Sequence, residues 1–309
     1  MFQIVFFNVL LALLFMVPGY VFCKLKTAKP EHLSTVSVFL IYFCSPCMVL
    51  SAFLGLPRQT EYAMLMGLFF VFSLFMQILF FLILYLIFRK RHENPIYRLL
   101  NVGSVLGNVG FFGLPLIKAV FPDAPEVACY SSIYVVSMNL LVFTIGVYCI
   151  TGDKKVISFK NAIVNPATFS LFLALPLYFL NAGQWFPEFL KTGIDVVGKS
   201  TTPICMFILG VRLAATPLKE VFGKWAVYAI CALKLLAFPL FCFGLSLLFP
   251  LPPTFRYSVL ILAGTPCASV LLGMAEIHGK CTDLAADCIL LSTLLSILTL
   301  PVLALLIQV

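Results

Sequence analysis

Charge is scarce in this chain. Of its 309 residues, 20 are lysine or arginine and 12 are aspartate or glutamate, so 10% are charged, against roughly 25% in an ordinary soluble domain. Histidine is scarcer still. His32, His92 and His278 are all there is, and each falls in or beside a predicted loop, far from the others in sequence. Such a distribution supplies neither a metal-ligand spacing nor a Ser/His/Asp constellation. No glycine-rich phosphate loop follows a strand-like run. The residues therefore point away from an enzyme and call for no cofactor. The first residues, MFQIVFFNVLLALLFMVPGYVF, lack a basic leader region and a small-residue cleavage site, and read as a retained first helix.

What fills the chain instead is apolar surface. Hydrophobic residues make up 62% of it, with 32 phenylalanines. No single globular core buries that much, so the expected solvent is lipid. Ten segments are long enough to cross the hydrocarbon core of a bilayer, at 2–22, 33–53, 62–88, 99–119, 129–150, 163–181, 192–213, 225–248, 257–277 and 284–308. The fold class expected is an all-α polytopic membrane protein. Eleven cysteines are scattered through these runs without a spaced framework and read as reduced thiols. The formal net charge of +8 does not indicate nucleic acid, because the basic residues sit in short loops. Loops after odd-numbered segments hold fourteen of them, from Lys24 through Lys219 to Lys280, whereas Arg58, Lys118, Lys191 and Arg256 lie on the other side. By the positive-inside rule the first set is cytoplasmic and both termini are outside.

Two segments are broken. Residues 101–116 read NVGSVLGNVGFFGLPL, and residues 262–279 read LAGTPCASVLLGMAEIHG. Unwound backbone at membrane depth is tolerated only against protein or a water-filled cavity. Paired breaks in corresponding halves are a sequence pointer to a transporter binding site. The halves also share spacings. Pro18 to Pro46 is 28 residues and Pro176 to Pro203 is 27, while Pro46 to Gln77 and Pro203 to Lys234 are both 31. Five segments per copy is an odd number, so the copies must be inverted: repeat 1 at 1–150, a short linker at 151–162 and repeat 2 at 163–309. The competing explanation is chance likeness among Leu- and Phe-rich helices.

The breaks nominate residues. Gly107, Gly110, Gly113 and Pro115 shape the first, and Gly264 and Pro266 the second, with Asn108 and Thr265 as polar groups beside them. A helix restarting after a break presents free N–H groups and partial positive charge, which favours a carboxylate. The plainer alternative is a glycine-rich helix packed tightly on its neighbours. Lys234 lies near the middle of an apolar span, either supporting the crossover electrostatically or snorkelling to the interface. Gln77, its counterpart, and Asn139 are candidate polar groups lining a substrate site, although Asn139 could equally bond a neighbouring helix. Asp195, Glu276 and Asp287 are candidate coupling carboxylates, or solvated interfacial acids, with Lys199 placed to pair Asp195. Cys44 and Cys47 form a C-x-x-C that could do thiol chemistry.

The stretch GNVGFFGLPL at 107–116 resembles the auxin efflux carrier family of membrane permeases, its bacterial members most. Asn165–Pro166, TPICMFILGVRLA at 202–214 and the P-x-A…A-x-x-x-G pattern at 266–279 extend the resemblance over both halves. It implies ten helices as two inverted five-helix repeats, with the fourth and ninth broken and crossing, as in sodium/proton antiporters and bile-acid symporters. It also implies a scaffold part and a transport part that move against each other, and a homodimer in the cell membrane. Bacterial members of the family are regarded as carriers of organic anions such as malate and malonate, and plant members carry auxin. Asn108 matches the asparagine that follows the crossover proline in the plant carriers, but Gly107 stands where that proline would be. The large cytoplasmic loop of many plant members is absent.

These features together predict a secondary transporter of small organic anions, coupled or not to a proton or sodium ion. A cation transporter on the same fold is the alternative, and a redox membrane protein built on Cys44 and Cys47 is a third.

Overall fold

The computed structural model describes residues 1–158, 160, 164–216 and 222–307. Lys219 of the charge count and residues 159, 161 and 162 of the expected linker lie outside them. Among the described residues every regular element is helical. Seven helices are long and apolar enough to cross a membrane: Phe2–Lys24, Pro30–Leu54, Thr60–Arg91, Glu126–Thr151, Glu188–Ala215, Trp225–Ser246 and Thr282–Leu306. Shorter apolar helices, Val109–Val120, Pro166–Phe179 and Ser269–His278, fall where the fourth, sixth and ninth segments were expected. Large apolar side chains such as Phe7, Val71, Phe169 and Leu298 point outward, as lipid-facing surfaces require.

Prolines accompany three of the four wide turns among the described residues; the fourth, Val142–Gly146, has none after it. Wide π turns at Leu40–Cys44, Val109–Gly113 and Leu233–Ala237 each end two residues before a proline, namely Pro46, Pro115 and Pro239. A proline lacks an N–H, and its ring presses on the carbonyl four residues back. Widening the preceding turn relieves that clash and leaves a carbonyl to be satisfied elsewhere. Phe111 stands four residues before Pro115, and its carbonyl accepts a 2.7 Å hydrogen bond from Thr202 Oγ1 on a distant helix. Pro18 has a sharper effect: the first helix is interrupted at Phe15, between Phe2–Leu14 and Met16–Lys24.

The helices pack as two groups. In the first, Met16–Lys24 lies on Thr201–Ala215, while Ser45–Leu54 packs on Pro166–Phe179 and Glu188–Lys199. Glycines let these backbones touch. A Cβ on Gly210 would stand 2.0 Å from the Met16 carbonyl oxygen, and one on Gly183 2.5 Å from that of Leu54. Small residues at membrane helix contacts serve this purpose. In the second group, Thr60–Phe88 packs on Glu126–Leu141, Phe238–Ser246 on Pro253–Ala263, and both Trp225–Ala232 and Ser269–His278 on Thr282–Leu303. Phe69 and Tyr130 stack at 4.4 Å in its core, with Phe255 edge-on to Phe69 at 4.8 Å. The two broken helices meet inside this second group, against the first.

Candidate functional site

The first broken helix runs Pro95–Gly103, loses helical geometry over 104–108 and resumes at Val109. The second runs Pro253–Ala263, opens over 264–268 and resumes at Ser269. The two openings lie against each other as a one-pair antiparallel bridge, Gly107 opposite Cys267. Asn108 N–H donates to the Pro266 carbonyl at 2.7 Å, and Ala268 N–H donates to the Leu106 carbonyl at 3.1 Å. Each break thus satisfies backbone groups of the other, the condition for unwound chain at membrane depth. Cys267 N–H is held by Ser292 Oγ at 2.9 Å, and the Val109 carbonyl accepts from Ser131 Oγ at 2.9 Å.

Glycine at 107 is a spatial necessity. A Cβ there would meet Thr265 Oγ1 at 2.6 Å and Lys234 Nζ at 3.0 Å. Gly113 is flanked in the same way by Leu262 and Thr265, Gly264 by Leu300 and Leu303, and Gly110 by Val135. Pro115 sits in the first turn of Leu114–Val120 and carries the π turn before it.

Lys234 is fully buried in the π turn of its helix. Its Nζ donates to the Ala263 carbonyl at 2.5 Å, the last residue of Pro253–Ala263, and lies 5.1 Å from the ring centre of Phe238. The ammonium therefore caps the negative end of a half-helix. None of the ion pairs among the described residues includes it. A buried cation without a carboxylate is costly and marks functional positions in membrane proteins.

Asn108 is 4% exposed, and its Nδ2 has no hydrogen-bond partner. Beside it lies the Cys205 thiol, which also neighbours Ser269, the first residue of Ser269–His278. Ser269 Oγ is likewise buried without a partner. The thiol is close to both groups, yet neither Asn108 Nδ2 nor Ser269 Oγ completes a hydrogen bond of acceptable geometry. Cys205 and Ser269 were not singled out from the sequence. A serine opening an apolar helical run was the available sign for Ser269, whereas nothing local announces Cys205.

Other expected residues sit elsewhere. Thr265 is buried at the crossover, but its hydroxyl is used locally, donating to the Leu262 carbonyl at 2.7 Å. Gln77 donates to the Ser73 carbonyl at 2.7 Å and to Ser137 Oγ at 3.1 Å, joining Thr60–Phe88 to Glu126–Leu141. Asn139 donates to Asn165 Oδ1 at 3.1 Å, and that oxygen also caps Pro166–Phe179. Asp195 accepts from Ser51 at 2.9 Å and pairs with Lys199; Glu276 pairs with Arg212 and Asp287 with Lys224, both at 2.6 Å. Cys44 and Cys47 are free thiols.

An all-helical body with lipid-facing apolar sides and two broken helices crossing beside a buried cation defines a polytopic membrane protein of the transporter kind. The chain belongs to the membrane transport protein family, the auxin efflux carriers, whose family model matches residues 4–304. It is 25% identical over 296 residues to a Methanocaldococcus jannaschii protein described as "Uncharacterized transporter", covering 94% of each chain. It is 24% identical over 297 residues to a Rhizobium meliloti protein described as "Putative malonate transporter", covering 91% of this chain and 89% of that one.

Proposed function

We propose that this protein is a secondary active transporter of small organic anions, carboxylates of the malonate or malate kind or auxin-like acids. It works by alternating access around the crossover of its two broken helices. The observation that carries this reading is Lys234, a buried cation without a carboxylate partner, hydrogen-bonded to one half-helix end and pressed against Gly107. Two restarting helices, at Val109 and Ser269, add partial positive charge on the same bridge. An anion is the ligand such a field accepts. The malonate in a relative's description agrees in chemical class.

The finer architecture belongs to the same proposal. Ten spans form two inverted five-helix repeats, 1–150 and 163–309. The near-symmetric bridge at Gly107 and Cys267 supports it. So does the exchange of partners in the first packing group, where the first helix packs on the seventh and the sixth on the second. The first group would serve as scaffold and the second as the moving part, in a homodimer of the cell membrane with the basic loops in the cytoplasm.

The alternative, a cation carrier, needs a carboxylate free to bind a cation. Asp195, Glu276 and Asp287 are each engaged with a lysine or arginine, which favours the anion. Transport-associated current in proteoliposomes tests the choice. Malonate, malate, lactate, indole-3-acetate and sodium chloride are applied with and without a proton gradient. A carboxylate current that disappears in Asn108→Ala is the expected result. A response to sodium or pH alone would overturn the anion reading.

A further inference from the structure

One face of Glu126–Leu141 carries polar groups that no neighbour serves. Glu126 opens the helix and is 7% exposed, yet it enters no ion pair among the described residues. Tyr130 and Tyr134 follow at one-turn steps, both fully buried, and neither hydroxyl has a hydrogen-bond partner. Ser137, three residues on, accepts from Ser73 Oγ at 2.8 Å and from Gln77 Nε2 at 3.1 Å, while Gln77 Oε1 is buried without a donor. Steps of four, four and three residues keep these four side chains on one face. The Tyr130 ring is fixed, stacked on Phe69 at 4.4 Å with Phe255 edge-on at 5.7 Å. Unpaired buried hydroxyls are costly, and packing alone would be served by phenylalanine, as it is at Phe69 and Phe255 beside them.

The row has two distinct ends. Glu126 lies far from the basic residues beyond Thr151, and half-buried Tyr62 neighbours both Glu126 and the exposed Glu61. At the inner end Tyr134 neighbours the Cys242 thiol, which in turn neighbours the Lys234 ammonium. From Glu126 to Tyr134 the helix rises about 12 Å, most of the ~15 Å from the edge of a hydrocarbon core to its middle. Other charges on the packed elements stay off the row. Exposed Lys118 neighbours Cys129 without pairing Glu126. Tyr178 exchanges hydrogen bonds with the Gln59 backbone, Arg256 is bonded to the Phe249 carbonyl, and Tyr257 stacks on Phe121 and Phe243. Ser45–Leu54 and Val109–Gly113 bring no charged side chain.

We infer that Glu126, Tyr130 and Tyr134 form a proton path from the helix end to the Lys234 ammonium, so that the carrier moves a proton with its anion. This rests on the carrier reading and names the coupling ion. A hydroxyl accepts a proton on a lone pair and passes its own onward, so it ends unchanged and no electrons are transferred. Single waters bridge the steps that the side chains do not span. Lys234 releases one proton into the row, which leaves it a neutral amine, and recovers one from the row on the return. The positive charge beside Gly107 therefore comes and goes with one proton. Asp195, Glu276 and Asp287 are each engaged with a base, whereas the Glu126 carboxylate is free to exchange protons at the mouth.

Proton uptake reads the path directly. Full-length protein is placed in proteoliposomes with trapped pyranine, with malonate on both sides and the potential clamped by potassium and valinomycin. The outside is then made acidic. The wild type is expected to take up protons faster than empty liposomes, and Tyr130→Phe, Tyr134→Phe and Glu126→Gln each to lower the protein-dependent rate by about tenfold or more. Because the two hydroxyls are unpaired, Tyr130→Phe and Tyr134→Phe should unfold at the wild-type temperature or above it. Exchange of labelled malonate at equal pH needs no net proton movement and should survive in both. A lowered unfolding temperature, or exchange lost together with proton uptake, would make the hydroxyls structural and overturn the path. Wild-type malonate exchange without protein-dependent proton uptake would also overturn it and leave the carrier reading standing. Hydroxyl-dependent proton uptake in a protein that moves none of the carboxylates would keep the path and remove the carrier.

Discussion

Lys234 exposes the anion reading to its hardest test at the residue scale. Methionine has nearly its length and none of its charge. In Lys234→Met the Ala263 carbonyl loses its donor, which costs about 1.5–3 kcal/mol for a hydrogen bond to a charged group, partly recovered because no ion remains to be buried. The variant is expected to fold, as read by its thermal unfolding in detergent, and to lose carboxylate current by at least about tenfold, a loss of about 1.4 kcal/mol in the free energy available to the anion. Full current in Lys234→Met would remove the charge from the mechanism. Gly107→Ala acts by volume. Its methyl meets Thr265 Oγ1 at 2.6 Å and the Lys234 ammonium at 3.0 Å, so strain of about 1–3 kcal/mol is expected, seen as a lower unfolding temperature together with lost transport. Lys234 was legible in the sequence, because a charge in an apolar run is conspicuous. So were the breaks, because Gly107, Gly110, Gly113 and Pro266 are poor helix formers. The local partner of the Thr265 hydroxyl was not legible, and of the two readings left open for Asn139 the structure shows the bond to a neighbouring helix. What a polar side chain bonds depends on partners the chain brings near in space, here Leu262 three residues back and Asn165 on another helix. Cys205 was hidden for the same reason, since its neighbours are 97 residues before it and 64 after it in the chain.

At the scale of the element, prolines convert sequence into inter-helix bonds. Pro115 forces the Val109–Gly113 π turn, and the freed Phe111 carbonyl is taken by Thr202. Pro115→Ala removes the cause and Thr202→Val removes the partner. Each alone is expected to destabilise the protein, and the pair by less than the sum. A double-mutant cycle on unfolding should give a coupling of about 0.5–1.5 kcal/mol. Strict additivity would mean that the wide turn and the Thr202 bond are unrelated. The all-helical, lipid-facing character was readable from hydropathy, and seven helices among the described residues are long and apolar enough to cross a membrane, while the pieces at Val109–Val120 and Ser269–His278 are short because they follow the breaks. The width of the turns before Pro46, Pro115 and Pro239 was not readable. A proline announces a perturbation, but neighbouring helices decide whether it ends as a kink, a break or a π turn.

The molecule packs as two groups, and the ion pairs among its described residues respect that division with one exception. Lys191–Glu188 and Lys199–Asp195 lie within the first group, and Lys224–Asp287 joins elements of the second. Among the described residues, Arg212–Glu276 alone spans both, from Thr201–Ala215 to Ser269–His278, at 2.6 Å with a second contact at 3.4 Å. The side chains are 28% and 42% exposed, so water screens the pair and its worth stays within about 1 kcal/mol. That is small against folding, yet it amounts to about fivefold in the balance between two arrangements of the groups. If the second group moves, this contact must break. Arg212→Gln or Glu276→Gln is therefore expected to leave unfolding nearly unchanged and to raise hydrogen exchange of the 269–278 amides by up to about fivefold in lipid nanodiscs. Exchanging the two charges in one double variant should restore wild-type exchange. High salt should mimic the single variants in the wild type and change them little. Exchange indifferent to both charges would mean that apolar packing alone holds this arrangement, and the barrier to transport would then lie in the contacts of Phe2–Leu14 with Leu114–Val120 and Thr282–Leu303, where the two groups also meet.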